Sequence, residues 1–326
     1  MTPPMTAADL RAQLAHTLRE TSFPSLGELY RGKVRDNYRL ADGKRIAMVT
    51  TDRLSAFDHV LTTLPFKGEI LSRLAVFWFG QTKDVFPNHL LDVPDPNVLV
   101  CRACRPLPVE VVIRGHLTGS LWRDYEAGQA NAAYGLALPP GLRRDQRFEQ
   151  PLVTPSTKAE KGQHDLPISE AEIVGRGLVE RRVWEKAADA ARALFARGQE
   201  WALSRGLILV DTKYEFGLDG DDLLLIDEIH TPDSSRYWIA DEYQRRFAAG
   251  EDQRMLDKEN LRQWLIRERG FSGHGPLPDI PDEVRVDLAQ KYLAAYERIT
   301  GAPFEGAPGE VAPRIEEKLR ARGYLR

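Results

Sequence analysis

Residues 206–231, GLILVDTKYEFGLDGDDLLLIDEIHT, decide how this chain is read. The apolar stretch Leu207–Val210 runs directly into Asp211, Lys213 and Glu215, which alternate with Thr212 and Tyr214. A strand turns successive side chains to opposite faces, so the three charged residues share one face and Val210, Thr212 and Tyr214 take the other. After the turn signals of LDGDD comes a second apolar stretch, Leu223–Ile226, ending in Asp227-Glu228. The pattern predicts a β-hairpin. With its turn centred near Asp221, Asp227 lies opposite Glu215, and two facing carboxylates repel unless a cation sits between them. Mg²⁺ fits, because it takes one or two carboxylates plus the phosphates of a nucleotide. The competing reading is a solvent-facing charged hairpin. Charges that follow apolar, burial-prone runs favour the ion. Lys213, between the carboxylates, is placed to hold a further anion.

Other polar clusters lie on either side. Downstream, Thr231-Pro232-Asp233-Ser234-Ser235-Arg236 is a turn with hydroxyl and guanidinium donors suited to a phosphate or carboxylate. Upstream, Arg114-Gly115-His116-Leu117-Thr118-Gly119-Ser120 ends a strand in an arginine with a Gly-Ser turn behind it, and Thr154–Glu160 with His164-Asp165 forms a third group. His116 and His164 are candidate bases, although single histidines are more often structural. Neither common phosphate loop, G-x-x-x-x-G-K-[ST] or G-x-G-x-x-G, occurs. Tyr30-Arg31-Gly32-Lys33-Val34-Arg35-Asp36 offers a different solution: the glycine permits close backbone approach, and Lys33 and Arg35, two apart on a strand, face the same way.

Between these clusters the chain mixes short strands with amphipathic helices. Leu10, Leu14 and Leu18 predict a helix over about 7–20, and further helices are expected over 71–81, from Ser169 (with Glu172 as a capping box), over 183–205, from Asp257, over 281–301 and in the last twenty residues. Strands are expected at 98–100 and 109–113, and a long surface loop over 135–162. Strands early and helices late favour an α+β or a mixed α/β layout over a regular βαβ array. The expected division is a strand-rich part over 1–112, a larger mixed α/β part over 113–270, and a helical C-terminal extension over 271–326.

The chain has 326 residues, 42% hydrophobic and 29% charged, the profile of a globular protein larger than one small core. A formal net charge of −3 argues against nucleic acid as a partner. There is no signal-peptide pattern and no long apolar run, so the expected location is the cytoplasm and no membrane partner is expected. Cys101 and Cys104 form a lone C-x-x-C, read as ordinary strand-edge thiols.

Taken in order, YRGKVRDNY, TTDRLSAFD, VEVVIRGHLTGSLWRDY, TPSTKAEKGQHDLPIS, LILVDTKYEFG, DEIHTPDSSRYW and LDKENLRQWL resemble the SAICAR synthetase (phosphoribosylaminoimidazole-succinocarboxamide synthase) family. The resemblance implies a fold related to ATP-grasp enzymes and an ATP-dependent ligase that condenses 5-amino-4-carboxyimidazole ribonucleotide with L-aspartate, through an acyl phosphate, in purine biosynthesis. It assigns Lys33 and Arg35 to the ATP phosphates and Glu110 to the adenosine. Glu215 and Asp227 become the Mg²⁺ carboxylates, in agreement with the hairpin argument. Arg114, Ser120, Asp233, Ser235 and Arg236 fall around the ribonucleotide, Lys158, Asp165 and Lys213 at the reaction centre, and Arg53, Ser55 and Asp58 on a substrate-side loop. The sequence departs from the family pattern at His116 (an aromatic expected), Leu121 (a small residue) and His230 (an aliphatic), positions expected to alter pocket shape. A monomer is the expected state.

Overall fold

The first helix, α1 (Ala7–Gln13), starts at Thr6 in a capping box with Asp9 and stops well short of residue 20. It cannot continue, because Leu10 belongs to the main core and Leu18 to a separate one, and the chain must turn to deliver both. The coordinates are a computed structural model that describes residues 5–57, 59–158, 165–256 and 259–325. Strands β1 (Glu28–Arg31), β2 (Arg35–Arg39) and β3 (Arg45–Thr50) follow, then a small hairpin of β4 (Arg53–Ala56) and β5 (His59–Thr63). Helix α2 (Lys67–Thr82) leads to β6 (Leu90–Asp95) and β7 (Val98–Arg102). The five-stranded sheet has the order β1-β2-β3-β7-β6, antiparallel throughout. Lys33 and Arg35 do not share a strand as expected: Gly32–Val34 form the turn between β1 and β2, and Arg35 opens β2. Cys101 lies buried on the inner strand β7 rather than at an edge, and both cysteines are free thiols.

The second sheet begins with β8 (Arg105–Pro106) and β9 (Val109–His116), so the expected boundary at 112 falls inside a strand. Helices α3 (Gly119–Glu126) and α4 (Ala130–Tyr134) lead to β10 (Arg147–Val153) and β11 (Ser156–Thr157). Those two strands occupy part of the expected loop: they pair with β9, whose edge would otherwise be bare. Then come α5 (Glu170–Gly175), capped by Ser169 as predicted, and α6 (Arg181–Ser204), whose apolar stripe is buried. The long β12 (Leu207–Asp219) turns into β13 (Asp222–Ile226), and β14 (Ser235–Ile239) pairs with the first half of β12. The path β10-β9-β12-β13 is the frame of this sheet.

The predicted hairpin forms with a slightly different register. Asp219 pairs with Asp222, leaving Gly220-Asp221 as a two-residue turn with Gly220 at φ +61°. Glu215 therefore faces Ile226, and Asp227 lies one residue past the ladder, at φ +68°.

Helices α7 (Ala240–Ala249), α8 (Glu259–Arg269), α9 (Asp282–Thr300) and α10 (Val311–Ala321) complete the chain. Asp257, expected to cap α8, lies outside the described residues. The C-terminal extension is integral to both cores. Residues of α9 join the main cluster, while Val311, Ile315 and Leu319 of α10 pack with Tyr38, Val49 and Val100 of the first sheet. Arg314 is tied to buried Glu69 and Asp95 at 3.3 and 3.1 Å. Among the described residues no helix is long and apolar enough to cross a membrane.

Candidate active site

Alternation along β12 does what the sequence required, placing Asp211, Lys213 and Glu215 along one face. Lys213 Nζ donates to Glu215 at 2.7 Å and to Glu110 of the neighbouring β9 at 2.6 Å. Lys158, just past β11, donates to the other oxygen of Glu215. From the first sheet, Arg35 reaches across to Asp227 and to Glu228, the latter at 2.9 Å. Four carboxylates (Glu110, Glu215, Asp227, Glu228) and three cations (Arg35, Lys158, Lys213) thus meet where the two sheets join. Exposed Asp165 lies close enough to Glu110 to disfavour its charge.

Electrostatics differentiates these groups. Burial raises the Glu215 carboxyl, but Lys213 and Lys158 outweigh it and hold it at about 2, so it stays ionised. Burial pushes Asp227 up to about 6, with Arg35 opposing and Glu215 reinforcing the rise. Burial opposes the Lys213 charge, yet Glu215 and Glu110 hold its pKa well above the ordinary value. Lys213 is therefore a fixed ammonium, fit to bind an anion and unfit to accept a proton.

Beside this cluster a cavity of about 370 Å³ opens between the sheets, walled by Tyr30, Met48, His89, Cys104 and Ile226, with Glu215 and Asp227 also on its wall. Apolar walls leading to a group of charges suit a base with a phosphate chain. Glu110, expected at the adenosine, is not among its walls and belongs instead to the charge cluster. Lys33 is exposed on its turn at the β1–β2 end.

A second group of donors lies further along β12. Arg114 donates from Nε to Thr154 at 2.8 Å and from Nη2 to Ser120 at 3.0 Å, and approaches Asp211 at 3.4 Å. Arg236 of β14 pairs with the same Asp211, and Ser235 shares a 2.7 Å hydroxyl contact with Thr212. Gly119 (φ +61°) is required here, since a Cβ would sit 2.5 Å from the Arg236 guanidinium. Two arginines held by one buried aspartate, with hydroxyls around them, form a pre-organised anion cradle.

The remaining candidates lie elsewhere. Arg53, expected on a substrate-side loop, is buried on β4 and donates to the carbonyls of Arg19 (2.6 Å), Gly32 (3.0 Å) and Lys33 (3.0 Å) and to Asp36 (2.8 Å). Its fork clamps the glycine–cation turn from behind. Ser55 is half-buried on β4, and Asp58 lies outside the described residues, as does His164. Asp233 is engaged by Lys67 and Tyr292.

Comparison with known proteins gives the family. The SAICAR synthetase family model matches residues 28–274. A putative phosphoribosylaminoimidazole-succinocarboxamide synthase 2 of Mesorhizobium japonicum is 49% identical over 293 residues, covering 88% of this chain and 93% of that protein. The phosphoribosylaminoimidazole-succinocarboxamide synthase of Legionella pneumophila is 46% identical over 310 residues, 93% of this chain and 97% of its own. The chain belongs to the SAICAR synthetase family. The SAICAR synthase of Saccharomyces cerevisiae, solved with SAICAR, superposes with a TM-score of 0.76 at 32% identity, covering 89% of this chain and 100% of that one. A SAICAR synthetase solved with ADP gives 0.64 at 25% identity, covering 86% and 100%.

The reaction is the family's: ATP-dependent ligation of 5-amino-4-carboxyimidazole ribonucleotide and L-aspartate in purine biosynthesis. In this synthetase the three departures from the family pattern are core positions. His116, Leu121 and His230 are all buried, and His116 packs on Trp238 and Tyr243 at 4.9 and 5.3 Å. Glu228 was visible as the second acid of Asp227-Glu228 and Asp211 through alternation along its strand, whereas the roles of Lys67 and Tyr292 arise from a partner 166 and 59 positions away and left no local signal.

Proposed function

We propose that this synthetase works through an acyl phosphate, with the nucleotide in the cavity between the sheets and a Mg²⁺ ion at Glu215 and Asp227. The observation that carries this reading is the meeting of those two carboxylates with Arg35, Lys158 and Lys213 at the wall of a nucleotide-sized cavity. The donor set fits the ion. Two carboxylates are what Mg²⁺ takes when phosphates complete its shell. When bound, the ion would neutralise charge on the nucleotide phosphates.

The protein's own residues supply the rest. A carboxylate has no leaving group, so one oxygen of the ribonucleotide carboxylate must first take the γ-phosphoryl group, releasing ADP. The aspartate amine then attacks the acyl carbon and phosphate departs. Arg114, Ser120, Ser235 and Arg236 orient the ribonucleotide; Arg35, Lys33, Lys158 and Lys213 stabilise charge on the transferred group. Asp165 is the carboxylate we assign to receiving a proton from the amine. The accompanying proposal is a monomer acting on small-molecule substrates in the cytoplasm.

The test is isotopic. Ribonucleotide labelled with ¹⁸O in its carboxylate should transfer one labelled oxygen to the phosphate product, and ADP should form only when the ribonucleotide is present. Unlabelled phosphate would rule out the acyl phosphate.

A further inference from the structure

The Thr231–Arg236 turn is fixed from two sides. From β12, the Lys213 N–H donates to the Ser234 carbonyl at 3.0 Å and Thr212 shares its hydroxyl contact with Ser235. From the other side come two residues that no motif singled out. Lys67, at the start of α2, places Nζ 2.8 Å from Asp233 Oδ2, and Tyr292 of α9 donates its hydroxyl to Asp233 Oδ1 at 2.5 Å. The same ammonium lies 5.6 Å from the Tyr292 ring centroid. The Lys67 side chain is 0% exposed and that of Asp233 5%.

An ion pair buried this deeply adds little net stability, since desolvation consumes most of the attraction; its established use is to hold one arrangement against others. The anchor itself is rigid. Gly68 lets the first turn of α2 press on the end of β3, and its N–H donates to buried Asp52 at 2.8 Å. α9 is held separately by Arg285, which donates to the Thr63 carbonyl at 2.9 Å.

We infer that Lys67 and Tyr292 are positioning residues: together they lock Asp233, and through it the turn carrying Ser235 and Arg236, in the geometry that binds the ribonucleotide. The C-terminal extension thereby contributes to substrate binding as well as to packing. This inference rests on the proposed assignment of that turn to the ribonucleotide.

The experiment uses the full chain with Tyr292→Phe, which keeps the ring under Lys67 and removes only the hydroxyl, and Tyr292→Leu, which removes both. KM for each of the three substrates, kcat and the thermal midpoint are measured. Tyr292→Phe should raise KM for the ribonucleotide about tenfold, the scale of one hydrogen bond to a charged group, with KM for ATP and aspartate within about twofold and the midpoint modestly lowered. Tyr292→Leu should raise it further. Unchanged KM values, with only the midpoint lowered, would overturn the positioning role. A rise confined to aspartate would leave the lock intact as a device and overturn the assignment of its turn to the ribonucleotide.

Discussion

A single guanidinium separates the two ways of reading the TDRLSAFD segment. The motif implies a substrate-side role for Arg53, whereas its fork is spent on three carbonyls and Asp36 beneath the Gly32–Val34 turn. Lysine carries one point of charge and cannot span that set, so Arg53→Lys should leave part-buried carbonyls undonated at about 0.5–1.5 kcal/mol each. The loosened turn should raise KM for ATP about tenfold, alongside a lower thermal midpoint. A rise in KM for aspartate or the ribonucleotide, with ATP unaffected, would restore the substrate-side reading. The contrast marks what a sequence discloses about a residue. Glu215 and Lys213 were legible because alternation on one strand fixes their common face. Arg53 was not, because three of its four acceptors are backbone carbonyls, identical in every residue and silent in the one-letter code.

Among the elements, those with a strong local pattern came out as read, namely the capping box at Ser169, the buried stripe of α6 and, one residue out of register, the β12–β13 hairpin. Pieces whose identity depends on a distant partner did not. β10 and β11 exist because β9 offers them an edge, and nothing in their own Pro-rich, charged residues signals a strand. The start of α2 belongs to the second kind as well. A Cβ at Gly68 would lie 2.3 Å from the Thr50 carbonyl oxygen and 2.7 Å from Asn97 Nδ2. In an ordinary helix Gly→Ala gains about 1 kcal/mol from propensity. Here a backbone atom must yield, so Gly68→Ala should instead lose about 1–3 kcal/mol. Urea unfolding decides the sign: a lower midpoint at constant slope is expected, and a raised midpoint would mean that the helix and β3 part without cost.

Across the molecule as a whole, proton linkage sets how stability responds to acid. His89, His116 and His230 are buried, and burial lowers them to about 3, 4 and 3. A histidine depressed in the folded state is neutral there while the unfolded chain takes up a proton below about 6.5. Each therefore contributes stability that is complete above about pH 6.5 and declines by roughly 1.4 kcal/mol per pH unit as acid is added, until its folded value is reached. Asp52 and Asp227 act oppositely. Burial raises both to about 6, so they bind protons preferentially in the folded state and add stability as the pH falls from about 6 toward 4. Between pH 6 and 4 the two carboxylates offset two of the three histidines, so removing one histidine should bring the sets close to balance. His116 is suited to this, being a buried ring among Trp238 and Tyr243 with no part in the charge cluster. His116→Phe keeps an aromatic of similar shape and removes one titrating group. Relative to the wild type, the variant should be more stable at pH 5 than at pH 8 by about 2 kcal/mol, the energy of one proton over the 1.5 units below about 6.5. Urea unfolding of both proteins at the two pH values measures it. An offset equal at both would mean that His116 takes up its proton in the folded state, with the ring reaching solvent despite its 2% exposure.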